Sequence, residues 1–210
     1  MKKLYYLMLC MAIGLSATSC LSDKDNDNNY KVLTKADKEA QLRDMAGIYN
    51  GHILFINDTT SKTDSLNISW QVTPHDSTLT VRNFPLKILA QGLPKSASRD
   101  LLMQEGGATF SATLHPYAVN SNTEGFYAFW VIPRDYKMEF TLDHEDVSHE
   151  VEVEFTDGMT AYTTGYMTEQ FYAYGLYLNH EMELYVLVKS VTVDKTKYMT
   201  GRAMLVNGKK

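Results

Sequence analysis

The stretch Glu150-Val151-Glu152-Val153-Glu154-Phe155 decides the fold class. Its carboxylates and apolar side chains alternate without a break, so a period of two places Val151, Val153 and Phe155 on one face and the glutamates on the other. A helix would scatter both sets around its surface, whereas a half-buried β-strand sorts them. The same period recurs outward from there. Leu66-Asn67-Ile68-Ser69-Trp70-Gln71-Val72 alternates strictly. Ile48–Ile56, Leu79–Val81, Ala108–His115, Gly125–Ile132, Tyr136–Leu142, Ala161–Thr168, Gln170–Leu178, Met182–Val193 and Tyr198–Val206 read as further strands. Polar turns such as Pro74-His75-Asp76-Ser77 separate them, and no βαβ unit interrupts them. The expectation is an all-β antiparallel fold, either a barrel or a two-sheet β-sandwich, since both share this alternation.

Helical signals are few. Thr34-Lys35-Ala36-Asp37 reads as a capping box opening a short N-terminal helix that ends at Gly47. Pro85 suits the first turn of a second short helix, Leu86 to Gln91. Leu93 to Gly107 has no period and reads as one long irregular connection.

The first residues follow a different grammar. Met1-Lys2-Lys3 is followed by an apolar run from Leu4 to Leu15 and the small residues Ser16-Ala17-Thr18-Ser19, the layout of a secretory signal peptide. The run is too short for a spanning helix, which needs roughly 20 residues. Ala17-Thr18-Ser19-Cys20 resembles a bacterial lipobox, without the usual leucine three places before the cysteine. Diacylation of Cys20, at about 0.8 kcal/mol per buried methylene, would hold the chain on a membrane. The alternative is a plain secreted protein in which Cys20 is incidental. Leu21 to Asn29 is acid- and asparagine-rich with almost nothing to bury, so it reads as a disordered tether. The expected organisation is therefore a signal peptide over 1–19, a lipidated tether over 20–33 and a single β-domain over 34–210.

Loss of Lys2 and Lys3 with the leader moves the formal net charge from −5 to −7. An acidic chain repels phosphate backbones, so nucleic acid is excluded as an expected partner. Cys10 leaves with the leader and acylation consumes Cys20, so the domain is expected to hold neither disulfide nor thiolate metal site. No catalytic residue, metal or cofactor is expected. Asp143-His144-Glu145-Asp146-Val147-Ser148-His149-Glu150 gathers two imidazoles and four carboxylates. Its histidines are five apart, not the four that a helical zinc motif requires, so a charged turn is the simpler reading. No Gly-x-Ser-x-Gly elbow and no phosphate loop appears. Carboxylate pairs for glycoside hydrolysis stay open, because spatial pairs do not show in sequence.

Aromatic residues carry the functional expectation. Tyr162, Tyr166, Tyr172, Tyr174 and Tyr177 crowd neighbouring strands, with Trp130 on another. Their mixed parity sends rings to both faces, one for the core and one for a glycan platform or an apolar pocket. Cross-strand pairs that merely stabilise the sheet are the alternative.

The lipobox-like start, the acidic tether and Ala46-Gly47-Ile48-Tyr49-Asn50-Gly51, with Asn83-Phe84-Pro85-Leu86 and Gly201-Arg202-Ala203-Met204-Leu205, resemble the uncharacterised small lipoproteins of gut Bacteroidetes. That resemblance implies an outer-membrane, lipid-anchored, surface-exposed protein. Some of those relatives are calycin-like barrels, in which a short helix precedes Gly-x-Trp and a late arginine packs over the tryptophan. The resemblance gives these places to Gly47-Ile48-Tyr49, with tyrosine for tryptophan, and to Arg202. The resemblance supplies no activity; the functional expectation rests on the aromatic strands and is non-enzymatic binding of a small apolar or glycan ligand, the alternatives being an interaction subunit of an outer-membrane complex and, after it, a glycan-processing enzyme. Cys20→Ala is expected to shift the protein from the membrane to the soluble fraction on fractionation, and unchanged membrane association would refute lipidation.

Overall fold

Thr34 opens the first helix as its sequence context predicts. In the computed structural model, which describes residues 32–104, 106–141, 147–162 and 168–210, the Thr34 hydroxyl accepts the Asp37 N–H at 3.1 Å and the Asp37 carboxylate accepts the Thr34 N–H at 3.0 Å. This reciprocal cap, worth about 1 kcal/mol, starts helix α1 (Lys35–Met45), which buries Leu42 and Met45. The expected leader over 1–19, Cys20 and most of the expected tether lie outside the described residues.

Strands β1 (Gly47–Asn57), β2 (Lys62–Thr73) and β3 (Thr78–Pro85) follow as a meander. Two short helices, α2 (Lys87–Ala90) and α3 (Ala97–Gln104), lead to β4 (Gly107–Tyr117) and β5 (Tyr127–Pro133). Then come β6 (Tyr136–Thr141), β7 (Ser148–Thr156), β8 (Gly158–Tyr162), β9 (Thr168–Tyr172), β10 (Tyr174–Leu178), β11 (Glu181–Val193) and β12 (Thr196–Lys209). Strands β1 to β5 pair in order, β5 pairs with β10, β10 with β11, β11 with β12, and β12 returns to β1, all antiparallel. This is a closed eight-stranded barrel, so the sandwich alternative falls. Closure leaves none of these eight strands as a free sheet edge along its whole length.

On the edge away from β12, strand β11 serves two neighbours in turn. Its Glu181–Leu184 half pairs with β10, and Leu187–Val193 pairs with β7, the register shifting between Val188 and Ser190. Strand β6 extends the sheet beyond β7, and β8–β9 form a separate two-stranded ladder.

Three expectations need correction. Leu93–Gly107 contains α3, whose Leu101 and Leu102 are buried; the overlooked signal is Ser96, whose hydroxyl accepts the Arg99 N–H at 3.3 Å as an N-cap does. Gln170–Leu178 is two strands, because Ala173 donates to the Asp157 carbonyl and accepts from Val131 N–H at the point where the chain enters the barrel. Ala161–Thr168 spans the end of β8 and the start of β9.

The interior is built from aromatics. Tyr49 and Trp70 stack at 5.3 Å, Tyr127 and Tyr177 at 5.6 Å, and Phe110 lies 5.7 Å from Phe84 and 5.0 Å from Phe155. Trp70 finds room because Gly208 faces Gly51 across the β1–β12 seam. A Cβ on Gly208 would sit 2.5 Å from the Asn50 carbonyl oxygen and 2.7 Å from the Trp70 ring. Helix α1 covers the barrel end where β1 starts, while Ile88, Leu89, Leu101 and Leu102 of α2 and α3 enter the same core from the end where β1 finishes. There the Arg202 guanidinium joins Asp58, whose carboxylate also accepts the Gly92 N–H, and donates to the Ile56 carbonyl at 3.2 Å.

Outside, Glu154 on β7 accepts Lys197 Nζ at 2.9 Å and the Ser190 hydroxyl at 2.8 Å, with Lys189 Nζ at 3.6 Å. The Lys197 and Ser190 bonds draw its pKa down from 4.5 to about 2. Asp58 and Asp194 are also held below the usual range. For each, desolvation pushes upward and is outweighed, by Gly92 and Arg202 at Asp58 and by His149 and the Glu150 N–H at Asp194.

Gly208→Ala is expected to destabilise by about 1–3 kcal/mol through overpacking, which at roughly 2–4 °C per kcal/mol is a measurable fall in Tm. Gly106→Ala, whose Cβ meets nothing within 4 Å, is expected to leave Tm unchanged. A depressed carboxylate stabilises the fold above its unfolded pKa and loses that contribution as pH falls through its folded value. Denaturation midpoints are therefore expected to drop between pH 4.5 and 2, less steeply in Glu154→Gln; equal slopes would refute the role of Glu154.

Candidate functional site

Alternation along β5 and β10 decides which rings reach solvent. On β5, Phe129 points into the barrel and is fully buried, whereas Trp130 points out and is 38 % exposed. On β10, Tyr177 points in at 2 % exposure and Tyr174 stands opposite Trp130 on the outer surface. Around Trp130 the outer faces of β4, β5, β10 and β11 carry an aromatic strip. Tyr117 stacks on Trp130 at 4.8 Å, Tyr172 meets it edge-on at 6.1 Å, and Tyr174 stacks on Tyr185 at 4.8 Å. Tyr172 is 45 % exposed, and Ile132, two residues along from Trp130, is 44 % exposed. Burial raises the phenol pKa of Tyr117, and burial together with Tyr185 raises that of Tyr174, so both stay neutral hydroxyls.

Of the residues expected to bind ligand, Trp130, Tyr172 and Tyr174 come together in this strip. Tyr177 does not join them. It stacks on Tyr127, donates to the Asp44 carbonyl at 3.3 Å and sits 3.3 Å from His180 Nδ1, so it belongs to the barrel end beneath α1. Tyr162 lies in β8, and Tyr166 is outside the described residues. Tyr117 and Tyr185 were not legible as partners, because only strand register brings them beside Trp130, whereas Ile132 follows from alternation along β5.

The cation over the first-strand aromatic is not Arg202. Arg202 is held at the far end of the barrel by Asp58. Lys210 takes that place: its ammonium lies 5.9 Å from the Tyr49 ring centre and 5.4 Å from that of Tyr177. It donates to the Ala46 carbonyl at 3.0 Å and to that of Asp44, satisfying carbonyls that the end of α1 leaves open. Its stem passes 3.1 Å from where a Cβ of Gly47 would be, and Gly47 itself has φ +142°, a backbone suited to glycine.

The charged segment before β7 resolves in part. His149 Nδ1 lies 2.8 Å from the Asp194 carboxylate, and Asp143 to Glu145 with Asp146 lie outside the described residues. Among the described residues no group of three or more metal-ligating side chains converges. The described residues include two surface grooves. One, of about 440 Å³, is lined by Thr156, Gly158, Lys189, Met199, Thr200 and Gly201, and the other, of about 560 Å³, lies over β1, β2 and β3. No carboxylate lines either, so neither holds an acid–base pair for glycosidic cleavage.

The domain of unknown function DUF4840 matches residues 44–193, which run from the end of α1 through β11 and stop one strand short of barrel closure. No curated protein and no solved structure matches the chain.

Proposed function

The chain belongs to the DUF4840 family, a domain of unknown function, and we propose that it is a non-enzymatic, lipid-anchored barrel of the cell envelope that binds glycans on its outer aromatic strip. The observation that carries this reading is the exposed corner formed by Trp130 and Tyr172, with Ile132 beside them. An indole face is electron-rich and apolar, as the C–H face of a pyranose ring requires, and Tyr117 and Tyr172 hold that indole in place. His115 pairs with Trp130 across β4 and β5, and Thr113 pairs with Ile132, supplying polar groups at the margin.

Size supports a sugar over a protein partner. Three side chains of 150–250 Å², each exposed by about two fifths, offer roughly 250 Å². A stable protein pair buries about 800 Å² on each side. One or two sugar rings fit the smaller figure. The filled interior and the helices over both barrel ends favour an outer-face glycan over an apolar molecule held inside.

Location in this proposal rests on the residues ahead of the barrel. An acylated Cys20 and the polar stretch after it would hold the domain off a bacterial outer membrane, as the resemblance to Bacteroidetes lipoproteins implies.

The chain has two tryptophans, and Trp70 is 2 % exposed, so quenching by a ligand reports on Trp130. Titration with neutral hexasaccharides of glucose, xylose and mannose is expected to quench with at least one of them. Trp130→Ala or Tyr172→Ala is expected to lower affinity in calorimetry about tenfold, or roughly 1.4 kcal/mol. Absence of binding by all three sugars, or full affinity in both variants, would refute this reading and favour a partner protein.

A further inference from the structure

The second groove lies on a different face and has a different chemistry. Asn50 and His52 of β1, Asn67 and Ser69 of β2, and Arg82 and Asn83 of β3 line a concavity of about 560 Å³. In register, Asn50 stands opposite Ser69 and His52 opposite Asn67. All six residues are exposed, and among the described residues none of their side chains is hydrogen-bonded to another protein group.

Its far wall is a β-bulge. Val81 pairs with Phe110 and Phe84 with Ala108, so Arg82 and Asn83 together oppose the single residue Thr109. Val81 and Phe84 both enter the core at 2 % exposure, which leaves the two residues between them on the outer surface. Simple alternation would have turned Asn83 inward. Asn83 holds φ +62°, a conformation that asparagine tolerates better than most residues. Gly107 permits it, since a Cβ there would lie 2.6 Å from Asn83 Cα.

The charge of this groove runs against that of the protein. The chain carries −5 overall, yet no carboxylate lines the groove, and Arg82 has no ion-pair partner among the described residues. Arg43 and Arg202, by contrast, are paired with Glu39 and Asp58. Each carboxamide offers both donors and an acceptor, the same pairing a sugar hydroxyl presents. Strands about 4.8 Å apart spread these groups over roughly 10 Å, wider than one anion and suited to two sugar rings. No phenylalanine, tyrosine or tryptophan lines the groove, so it lacks the broad stacking platform that single-stranded nucleic acid uses.

We propose that this groove over β1–β3 is a second binding site, taking an acidic oligosaccharide whose carboxylate or sulfate pairs with Arg82 while its hydroxyls bond Asn50, Asn67 and Asn83. The site stands independently of the aromatic strip, and neutral and acidic probes separate the two.

Calorimetry on the intact chain with tetragalacturonate, a chondroitin sulfate tetrasaccharide, maltotetraose and sodium sulfate tests it. Saturable binding of one or both acidic tetrasaccharides is expected, weakening from 50 to 200 mM salt; which of the two binds identifies the anion. Arg82→Ala is expected to lower affinity at least tenfold, Asn67→Ala less, and Arg82→Lys to an intermediate degree, with Tm unchanged because all are surface positions. Arg134→Ala, which removes an exposed arginine elsewhere, is expected to have no effect. The proposal is overturned if neither acidic probe binds, if Arg82→Ala weakens maltotetraose as much as it weakens the acidic probe, if sulfate alone competes at the same concentration, or if Arg82→Ala binds the acidic probe like the parent.

Discussion

Closure of β1 against β12 is the constraint on which the rest of the structure depends. Gly51 and Gly208 meet there without side chains, and the vacated space admits the Trp70 indole stacked on Tyr49. Lys210 then continues past β12 to lie over Tyr49 and Tyr177 and to bond the carbonyls at the end of α1. One seam thus joins first strand, last strand, helix and core. Because aromatics fill the space that a hollow barrel would leave for a ligand, the recognition proposed for this chain lies on the outer surface.

Much of this was readable residue by residue. Thr34 and Asp37 spelled their cap, and the alternation around Trp70 and through Glu150–Phe155 gave correct inside and outside faces. The three-residue step from Tyr174 to Tyr177 correctly placed them on opposite faces. What stayed hidden depends on pairing. Tyr117 and Tyr185 reach the Trp130 neighbourhood only through the order β4-β5-β10-β11, in which β5 and β10 are adjacent despite the residues 134–173 between them. The bulge at Arg82–Asn83 breaks the alternation that sequence reading assumes, so the groove wall had no signature. The exchange of Arg202 for Lys210 had the same cause: both are cations on or just beyond β12, and only register decides which reaches Tyr49.

The two outer faces divide their chemistry cleanly. Rings on β4, β5, β10 and β11 provide apolar, flat surface, while amides and a guanidinium on β1, β2 and β3 provide directional bonds. A barrel suits this division, since every strand presents alternate residues outward and neighbouring strands line them up in rows. The fold itself assigns no activity; both proposals rest on the side chains that face outward.

The seam between β1 and β12 also dictates an order of events. The two strands are separated by the whole of β2 to β11, so β1 of a nascent chain can complete its pairing only after residues 196–210 have been made. Until then one edge of β1 and the inward aromatics of the meander lack their cover, a state prone to self-association. Distant partners of this kind slow folding, because a long loop must close before the contact rewards it. Under the export proposed for this chain, such a closing step favours staying unfolded through translocation and zipping shut afterwards.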